Sequence, residues 1–370
     1  MEYIKQIDEF IELDKNIIQI DDNISNKDRA DLHEYCKEKG LFSRSITKEG
    51  TTQKIVIVTK DKPEIVVKNL IDDSVVDFFD THSNVPIPVP KIEFIDYYLE
   101  LFDPIFNCKR LYNLLVSDVK KFGGLNGLKR EINKVTSEIY HHIEQSDGYK
   151  KYFLKTDPSI IIPDCLLNYN IYNPINDKKW FISIDIKSAN FRVLKNICND
   201  IFTDVTEFSD FVGKYTESEF IKECKMIREI IFGRTGQCKK INKMALIFVD
   251  KVDKLIESTE YIKHMKKIML SADEVVYEID DYMKDHYDDL VKLIEEFNSN
   301  FFHIRMFKLV KICNKPFYMK ELIDGKLDLK QTPKKFACQV VKKYFNKEII
   351  ELDRKFVDEG YIATYDLNCL

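Results

Sequence analysis

Two stretches of this sequence place carboxylates at the ends of apolar runs, where they could bind cations. In the first, the apolar run Trp180–Ile184 ends on Asp185. Its aromatic and β-branched residues predict a buried strand. Because burying an unpaired carboxylate is unfavourable, Asp185 requires a cationic partner or a metal ion. The alternative is that Asp185 caps the predicted helix that follows, which ends at Leu194.

The second stretch places Asp273 and Glu274 between the apolar pairs Met269-Leu270 and Val275-Val276. This pattern predicts a strand–turn–strand hairpin with acids at its tip. The flanking apolar residues indicate that these acids are only partly exposed to solvent.

A basic tract lies between the two carboxylate stretches, on predicted helices over residues 207–231 and 237–257. It contains Lys225, Arg228, Arg234, Lys239, Lys240 and Lys243. The basic side chains of this tract can bind an anionic ligand. The alternative is that they form a solvent-exposed helix face, as such runs usually do.

These three stretches together resemble the palm and fingers of family A DNA polymerases. Residues 273–279, DEVVYEI, resemble the third palm motif, and 185–194, DIKSANFRVL, resemble the first, with Asp185 and Arg192 in register. Residues 238–242, CKKIN, resemble the core of the fingers helix. A predicted helix over 285–298 and a predicted strand over 302–312 continue the likeness, which covers residues 160–320.

The resemblance implies a Mg²⁺- or Mn²⁺-dependent nucleotidyltransferase with a two-metal mechanism. Asp185 and Asp273 would bind the metal ions, and Glu274 would support catalysis. The residues implied to contact the nucleotide are Lys239, Arg228, Arg234 and Asn190, and Arg192 is implied to contact nucleic acid. The implied partners are nucleoside triphosphates and DNA or RNA, either single-stranded or as primer–template, together with proteins of a replication or transcription complex.

The sequence departs from the polymerase pattern at several positions. Ala272 replaces a histidine, and Asn190 replaces the glutamate that excludes a ribose 2′-hydroxyl, so Asn190 would permit ribonucleotides. The interval from Lys239 to Asp273 is also shorter than in the family, which indicates that part of the fingers is missing.

Two other functions remain open for the same residues. Pro163-Asp164 followed by Asp185-Ile186-Lys187 matches the Pro-Asp…Asp-x-Lys pattern of a large nuclease family. In that family Asp164 and Asp185 would bind magnesium, and Lys187 would orient the attacking water. The remaining alternative is a non-catalytic nucleic-acid-binding accessory protein with a degraded polymerase fold.

An Arg–His pair near the N-terminus points to nucleic acid independently. Arg29 and His33 are four residues apart on a predicted helix and therefore share a face. With Gly40, Ser45 and a predicted strand over 54–60, they resemble a small single-strand-binding module that is named for its Arg-x-x-x-His pair. The resemblance covers residues 15–65. It implies that Arg29 meets phosphate and that His33 stacks or hydrogen-bonds. The alternative is an exposed pair on an ordinary helix.

These patterns predict an α+β chain: a small N-terminal α/β module, a helical middle region and a palm-like antiparallel sheet with packed helices. Residues 1–20 predict an amphipathic helix, and the alternating prolines of His82–Pro90 predict an extended linker. The predicted divisions are an N-terminal module at 1–80, a linker at 81–92, a helical region at 93–158, a palm and fingers region at 159–320 and a helical tail at 321–370. Within the helical region, helices are predicted over 110–121 and 128–145, joined by a glycine-containing turn.

Composition limits the class of protein. Of the 370 residues, 44% are hydrophobic and 32% are charged, and no apolar run approaches the ~20 residues that span a bilayer. The formal net charge of −5 argues against coating nucleic acid through bulk charge. Nine scattered cysteines and an acidic N-terminus favour a reducing compartment, cytoplasmic or nuclear, and no membrane partner. The many Ile, Lys, Asn and Asp residues are typical of AT-rich genomes, such as those of a large DNA virus or an AT-rich protist.

Overall fold

The computed structural model of the protein contains α-helices together with antiparallel sheets. It divides into two compact units, the N-terminal unit Met1–Asn69 and the C-terminal unit Leu70–Leu370. The structure describes residues 2–13, 15–20, 25–47, 54–60, 70–154, 163, 167, 169–233 and 238–365.

The N-terminal unit combines two helices with a three-stranded sheet. Its elements are α1 (Glu2–Glu12), β1 (Ile17–Ile20), α2 (Asn26–Glu38), β2 (Phe42–Thr47) and β3 (Lys54–Thr59). The strands are antiparallel and lie in the order β1-β3-β2. The helix predicted over residues 1–20 is therefore wrong beyond Glu12. The isoleucines of β1 suit a pleated strand, and β1 pairs with β3, a contact that helical periodicity does not reveal.

The core of this unit lies between the helices and one face of the sheet. Ile7 and Phe10 of α1 pack with Leu32 of α2 and with Val56 and Val58 of β3. The end of α1 is held by Lys60, whose ammonium donates to the carbonyl oxygen of Ile11 at 2.8 Å. The unit thus has a hydrophobic core of its own.

The C-terminal unit contains the larger sheet and most of the helices. Its helices are α3 (Asp73–Ser83), α4 (Ile95–Phe106), α5 (Cys108–Lys121), α6 (Leu125–Gln145), α7 (Asp147–Tyr149), α8 (Ala189–Ile197), α9 (Phe208–Gly213), α10 (Glu219–Glu223), α11 (Lys225–Gly233), α12 (Cys238–Glu257), α13 (Asp281–Asp285), α14 (Tyr287–Phe297) and α15 (Ala337–Tyr344). Its strands are β4 (Trp180–Ile186), β5 (Met265–Leu270), β6 (Glu274–Ile279), β7 (Phe302–Lys311), β8 (Tyr318–Leu322), β9 (Leu327–Lys330), β10 (Lys355–Asp358) and β11 (Tyr361–Thr364).

The main sheet of the C-terminal unit has the strand order β5-β6-β4-β7-β8-β9, and all neighbours are antiparallel. Helices α8–α12 connect β4 to the β5–β6 hairpin, and α13 and α14 connect that hairpin to β7. Strands β4–β7 therefore follow a βαββαβ pattern in which β6 separates β4 from β5. The hairpin β8–β9 extends the sheet beyond β7.

Both faces of this sheet contribute to hydrophobic clusters. Ile182 and Ile184 of β4 belong to the main core, which also contains side chains of the surrounding helices. Phe181 lies on the other face and packs with Val276 and Phe307 in a smaller cluster. That second face is apolar near Phe181, and it becomes charged toward the end of β4, where Asp185 lies.

Residues 81–92 do not form the predicted linker. The structure places Val85, Ile87 and Val89 in the main core, each at most 2% exposed. The alternating prolines keep the segment extended, and this extended backbone turns its aliphatic side chains inward. The two units are divided at residues 69 and 70 instead, and the predicted regions 93–158 and 159–320 lie in a single unit.

The C-terminal segment also differs from the predicted helical tail. The predicted boundary at 320/321 falls inside β8, and the alternating residues of β9 pair with β8. Asp324 and Gly325 form the hairpin turn, in which Gly325 has a φ of +81°. Further on, α15 is held by a buried ion pair in which Lys342 Nζ lies 2.8 Å from Asp353 Oδ2.

Several local predictions are confirmed. The predicted glycine turn joins α5 to α6 at Phe122–Gly124, and residues 125–127 already belong to α6. The hairpin with Asp273 and Glu274 near its tip is formed by β5 and β6. The prediction of a single helix over 207–231 differs from the structure, which divides this stretch into the three helices α9, α10 and α11. Among the described helices, none combines the length and apolar character needed to cross a bilayer.

Candidate active site

Strand register places a row of polar side chains on one face of the main sheet. Asp185 of β4 lies opposite Glu274 of β6 on one side and His303 of β7 on the other. Because side chains alternate along a strand, Ser183 and its partner Arg305 point to the same face as Asp185. Lys320 of β8 continues the row, since it pairs with Leu309, which lies on the face of Phe307 and Arg305.

Asp185 is half-buried, and only one of its two carboxylate oxygens has a hydrogen-bond partner among the described residues. Arg305 donates to its Oδ2 at 2.8 Å, whereas Oδ1 is buried and has no hydrogen-bond partner. Burial raises the pKa of Asp185 to about 6; Arg305 opposes the rise, and Glu274 and Asp273 add to it. The sequence-based expectation of a cationic partner is thus met by Arg305. The helix-cap alternative is wrong, because the N-cap of α8 is Ser188 and no side-chain cap bond is formed there.

The hairpin tip is fastened to the end of β4. The backbone N–H of Ile186 donates to the carbonyl oxygen of Asp273 at 2.9 Å. Within the tip, Ser271 N–H donates to the carbonyl oxygen of Glu274 at 2.8 Å. The hydroxyl of Ser183 donates to Glu274 Oε1 at 2.5 Å. These bonds hold the carboxylates of two separate elements near the end of the same strand.

A cavity of about 830 Å³ opens at this end of the sheet. It is lined by five of the predicted site residues, Asp185, Asp273, Glu274, Asn190 and Arg228, and by Lys225 of the predicted basic tract. Its volume lies within the range of ~300–1,000 Å³ typical of ligand pockets. The structure therefore brings together residues that are up to 89 positions apart in the chain (Asp185 to Glu274).

Cationic side chains from the sheet and from α11 line the rest of the cavity. Arg305, Lys320 and Lys330 come from strands, and Lys225 and Arg228 come from α11. Lys330 pairs with Asp328 at 2.9 Å, and Lys225 pairs with Glu229 at 3.7 Å. Arg228 lies 5.6 Å from the centre of the Phe208 ring, and burial lowers the pKa of its guanidinium.

His303 lies at the edge of the same cavity. Partial burial and the neighbouring cations Lys187 and Arg305 lower the pKa of His303 to about 4. The ring is therefore neutral at neutral pH, and one of its nitrogens can accept a hydrogen bond there.

Some predicted site residues lie elsewhere. Arg192 is 7% exposed and pairs with Glu207 at 2.6 Å, so it stabilises the fold and is not presented to the cavity. Lys239 of α12 is exposed but does not line the cavity. The ammonium of Lys187 donates to Asn300 and is likewise absent from the cavity lining. Asp164 and Arg234 lie outside the described residues.

The Arg–His pair of the N-terminal unit lies on α2, as predicted. His33 Nδ1 is 2.7 Å from the hydroxyl oxygen of Ser43, and Nε2 is 2.9 Å from that of Ser45. The two serines are on the same face of β2, two residues apart. Both ring nitrogens of His33 are engaged, so the ring is oriented by the protein and only its face remains for a ligand.

Sequence reasoning missed Arg305, Lys320 and His303. The alternation in β7, FHIRMFKLVK, does place His303 and Arg305 on one face of a strand. That signal does not reveal that β7 lies beside β4, because strand order depends on the tertiary fold. Lys320 gave no signal, since a lysine in a short amphipathic strand is ordinarily exposed.

The acidic side chains that the structure describes at the cavity are too few to form a metal centre coordinated by protein ligands alone. In the part of the chain that the structure describes, no group of three or more His, Cys, Asp or Glu residues is arranged to hold a metal ion. Asp185 nevertheless keeps a buried oxygen without a partner, and Asp273 lines the same cavity. An open site completed by substrate and water oxygens suits Mg²⁺, which usually takes only one or two protein carboxylates.

Comparison with known proteins gives no relative. No protein-family model matches the chain, and neither a curated protein nor a solved structure is significantly similar to it.

Proposed function

We propose that the C-terminal unit is a metal-dependent nucleotidyltransferase that acts on nucleic acid. The observation that carries the proposal is the cavity shared by Asp185, Asp273 and the basic side chains of α11. An acid from one strand and an acid from a neighbouring hairpin are the minimum that two-metal phosphoryl chemistry requires. The βαββαβ order of β4–β7 supports the proposal, because it places the strand that carries Asp185 beside the hairpin that carries Asp273.

The residues present fit a divalent cation. Asp185 and Asp273 would hold Mg²⁺ or Mn²⁺, since the buried Oδ1 of Asp185 lacks a partner. When bound, the metal would supply Lewis-acid activation of a 3′-hydroxyl and charge neutralisation on the leaving pyrophosphate. Glu274, fixed by Ser183, would maintain the negative potential at this end of the cavity.

The cavity residues from helices α8 and α11 would bind the nucleotide. Arg228 lines the cavity, and in the described part of the chain no carboxylate lies within 4 Å of its guanidinium. It can therefore offset the charge of a triphosphate. Asn190, at the start of α8, would face the sugar, and its small side chain would admit a ribose. A nucleotide contact by Lys239 or Arg234 remains a prediction.

Primer extension tests this function. A labelled DNA or RNA primer, alone or annealed to a template, is incubated with nucleoside triphosphates and Mg²⁺ or Mn²⁺. Extension should fall at least about 100-fold in D185N and in D273N, because each change removes a metal ligand. The matched control D204N removes an exposed carboxylate of the same unit and should extend normally.

The same assay separates the alternatives. Extension that survives in both aspartate variants would overturn the proposal. Shortening of the primer that requires Asp164 and Lys187 would indicate a nuclease, although the ammonium of Lys187 contacts Asn300 outside the cavity lining. Strand binding without either activity would indicate an accessory protein of a replication or transcription complex.

For the N-terminal unit we propose binding of single-stranded nucleic acid through α2. The oriented ring of His33 would stack on a base, and Arg29, one helical turn earlier, would meet phosphate. Fluorescence anisotropy with labelled single strands tests this. H33A should weaken binding, and R29M should reduce the salt slope by about one. K5A on α1 is the matched control, and equal affinity of all variants would contradict the proposal.

A further inference from the structure

Lys320 is a buried cation that forms no direct ion pair within the described part of the chain; the acids Glu274 and Asp328 act on it only at longer range. The residue is 7% exposed, yet it lines the cavity. Its ammonium lies 4.3 Å from the centre of the Phe307 ring, and in the described part of the chain it has no hydrogen-bond partner and no carboxylate within 4 Å. Burial lowers the pKa of Lys320. A buried ammonium without a partner is unfavourable, so a ligand that supplies negative charge would be favoured here.

Arg305 adds a second cation to the same region. It lies on the same face of the sheet, two residues before Phe307, whose ring contacts Lys320. Its side chain is 38% exposed, and its guanidinium donates to Asp185, so part of its hydrogen-bonding capacity remains open. A guanidinium can bind a carboxylate and a phosphate together because it has five N–H donors.

The cavity is consequently divided into two halves of opposite charge. Asp185, Asp273 and Glu274 lie where β4 meets the hairpin, and Arg305 and Lys320 lie on β7 and β8. Asp328, opposite Lys320 on β9, also lines the cavity, but its carboxylate is paired with Lys330 at 2.9 Å. A ligand that carries both a divalent cation and several phosphates would match both halves. A simple carboxylate would satisfy only the basic half.

We propose that Lys320 and Arg305 form a polyphosphate subsite on the sheet, which binds the terminal phosphates of a nucleoside triphosphate. The subsite rests on the proposed nucleotidyl transfer and adds a sheet-borne phosphate contact to it. Lys320 of β8 provides a point charge, and Arg305 of β7 provides a planar fork on the same face of the sheet. The N–H groups of Arg305 that do not bind Asp185 would contact the phosphate, so the ion pair with Asp185 could persist.

Calorimetric titration of the full-length protein with inorganic tripolyphosphate in metal-free buffer tests the subsite. K320M should bind at least 10-fold more weakly than the unmodified protein. K326M is the matched control, because Lys326 is an exposed lysine of the β8–β9 turn that pairs with Asp324 at 2.7 Å. It should bind within twofold of the unmodified protein. The melting temperature of K320M should be unchanged or higher, because methionine fills the buried position without a charge.

Equal tripolyphosphate affinity of K320M and the unmodified protein would overturn the subsite. The extension assay then separates the two proposals. Extension with an unchanged KM for the nucleotide in K320M would refute the subsite while the transferase proposal stands. Lys320-dependent tripolyphosphate binding by a protein that extends no primer would support the subsite and refute the transferase proposal.

Discussion

Asp185 is subject to two opposing influences. Burial and the neighbouring acids Glu274 and Asp273 favour its neutral form, and the ion pair with Arg305 favours its ionised form. Burial prevails, and the pKa rises from 3.8 to about 6. An acid with a raised pKa in the folded state reduces stability once the pH exceeds its unfolded value. Such strain is common where a carboxylate is kept for chemistry.

This raised pKa predicts a pH-dependent gain of stability in D185N. Between pH 4 and 7 the unfolded chain loses the Asp185 proton before the folded chain does, so the unmodified protein becomes less stable relative to D185N. The free energy of unfolding of D185N minus that of the unmodified protein should therefore increase by up to about 3 kcal/mol as the pH rises from 4 to 7. Urea denaturation at several pH values measures it.

D204N provides the comparison for this experiment, because it makes the same change of charge at an exposed position. Its difference from the unmodified protein should stay nearly constant over the same pH range. A D185N difference that also stays constant would show that the folded environment does not raise the pKa of Asp185.

At the scale of elements, close approaches of backbone segments fix the geometry around the site. The tip of the β5–β6 hairpin is bonded to the end of β4 through Ile186 and Asp273. In the helical region, Gly127 at the start of α6 lies against the carbonyl group of Phe122, at the end of α5. The glycine turn thus allows two consecutive helices to pack closely, and α11, which carries Arg228, packs against α6.

The close approach predicts that G127A is destabilising. An added Cβ would lie 1.8 Å from the carbonyl oxygen of Phe122, so the turn must shift. The free energy of unfolding should fall by about 1–3 kcal/mol, as overpacking usually does. In the control G213A, the new Cβ would make only an ordinary contact, 3.5 Å from Lys222, and stability should change by about 0.5 kcal/mol or less. Chemical denaturation compares the variants, and similar stabilities would contradict the prediction.

At the scale of the whole molecule, the chain consists of two compact units with separate cores. The core of the N-terminal unit includes Phe10, Leu32 and Val56, and none of its members comes from residues beyond 69. Single-strand binding and phosphoryl chemistry are proposed for different units. Binding and catalysis should therefore be separable by mutation.

The separate core predicts that residues 1–69 fold on their own. The isolated segment should show cooperative thermal unfolding by circular dichroism and dispersed amide signals by NMR. Its stability should be modest, because a domain of this size buries a small fraction of its surface. A disordered spectrum would show that the segment requires the rest of the chain.

Much of the local structure could be predicted from the sequence. The apolar run at Trp180, the hairpin at Asp273 and the helices on either side of Gly123-Gly124 follow from periodicity and turn residues. The candidate carboxylates were also identifiable, because acids next to apolar runs are unusual. These signals are local, so a single sequence contains them.

The tertiary structure alone decided which side chains meet. Strand order places Arg305 beside Asp185 and buries Lys320 in the cavity, whereas Arg192 is withdrawn into an ion pair with Glu207. The same packing buries Val85 and Ile87 of the proline-rich segment in the main core. These outcomes depend on contacts between residues far apart in the chain, and the period of a strand or helix carries no information about its neighbours. The sequence by itself determined β4, the β5–β6 hairpin, several helices and the candidate acids, and the antiparallel sheet decided the cationic partners of those acids.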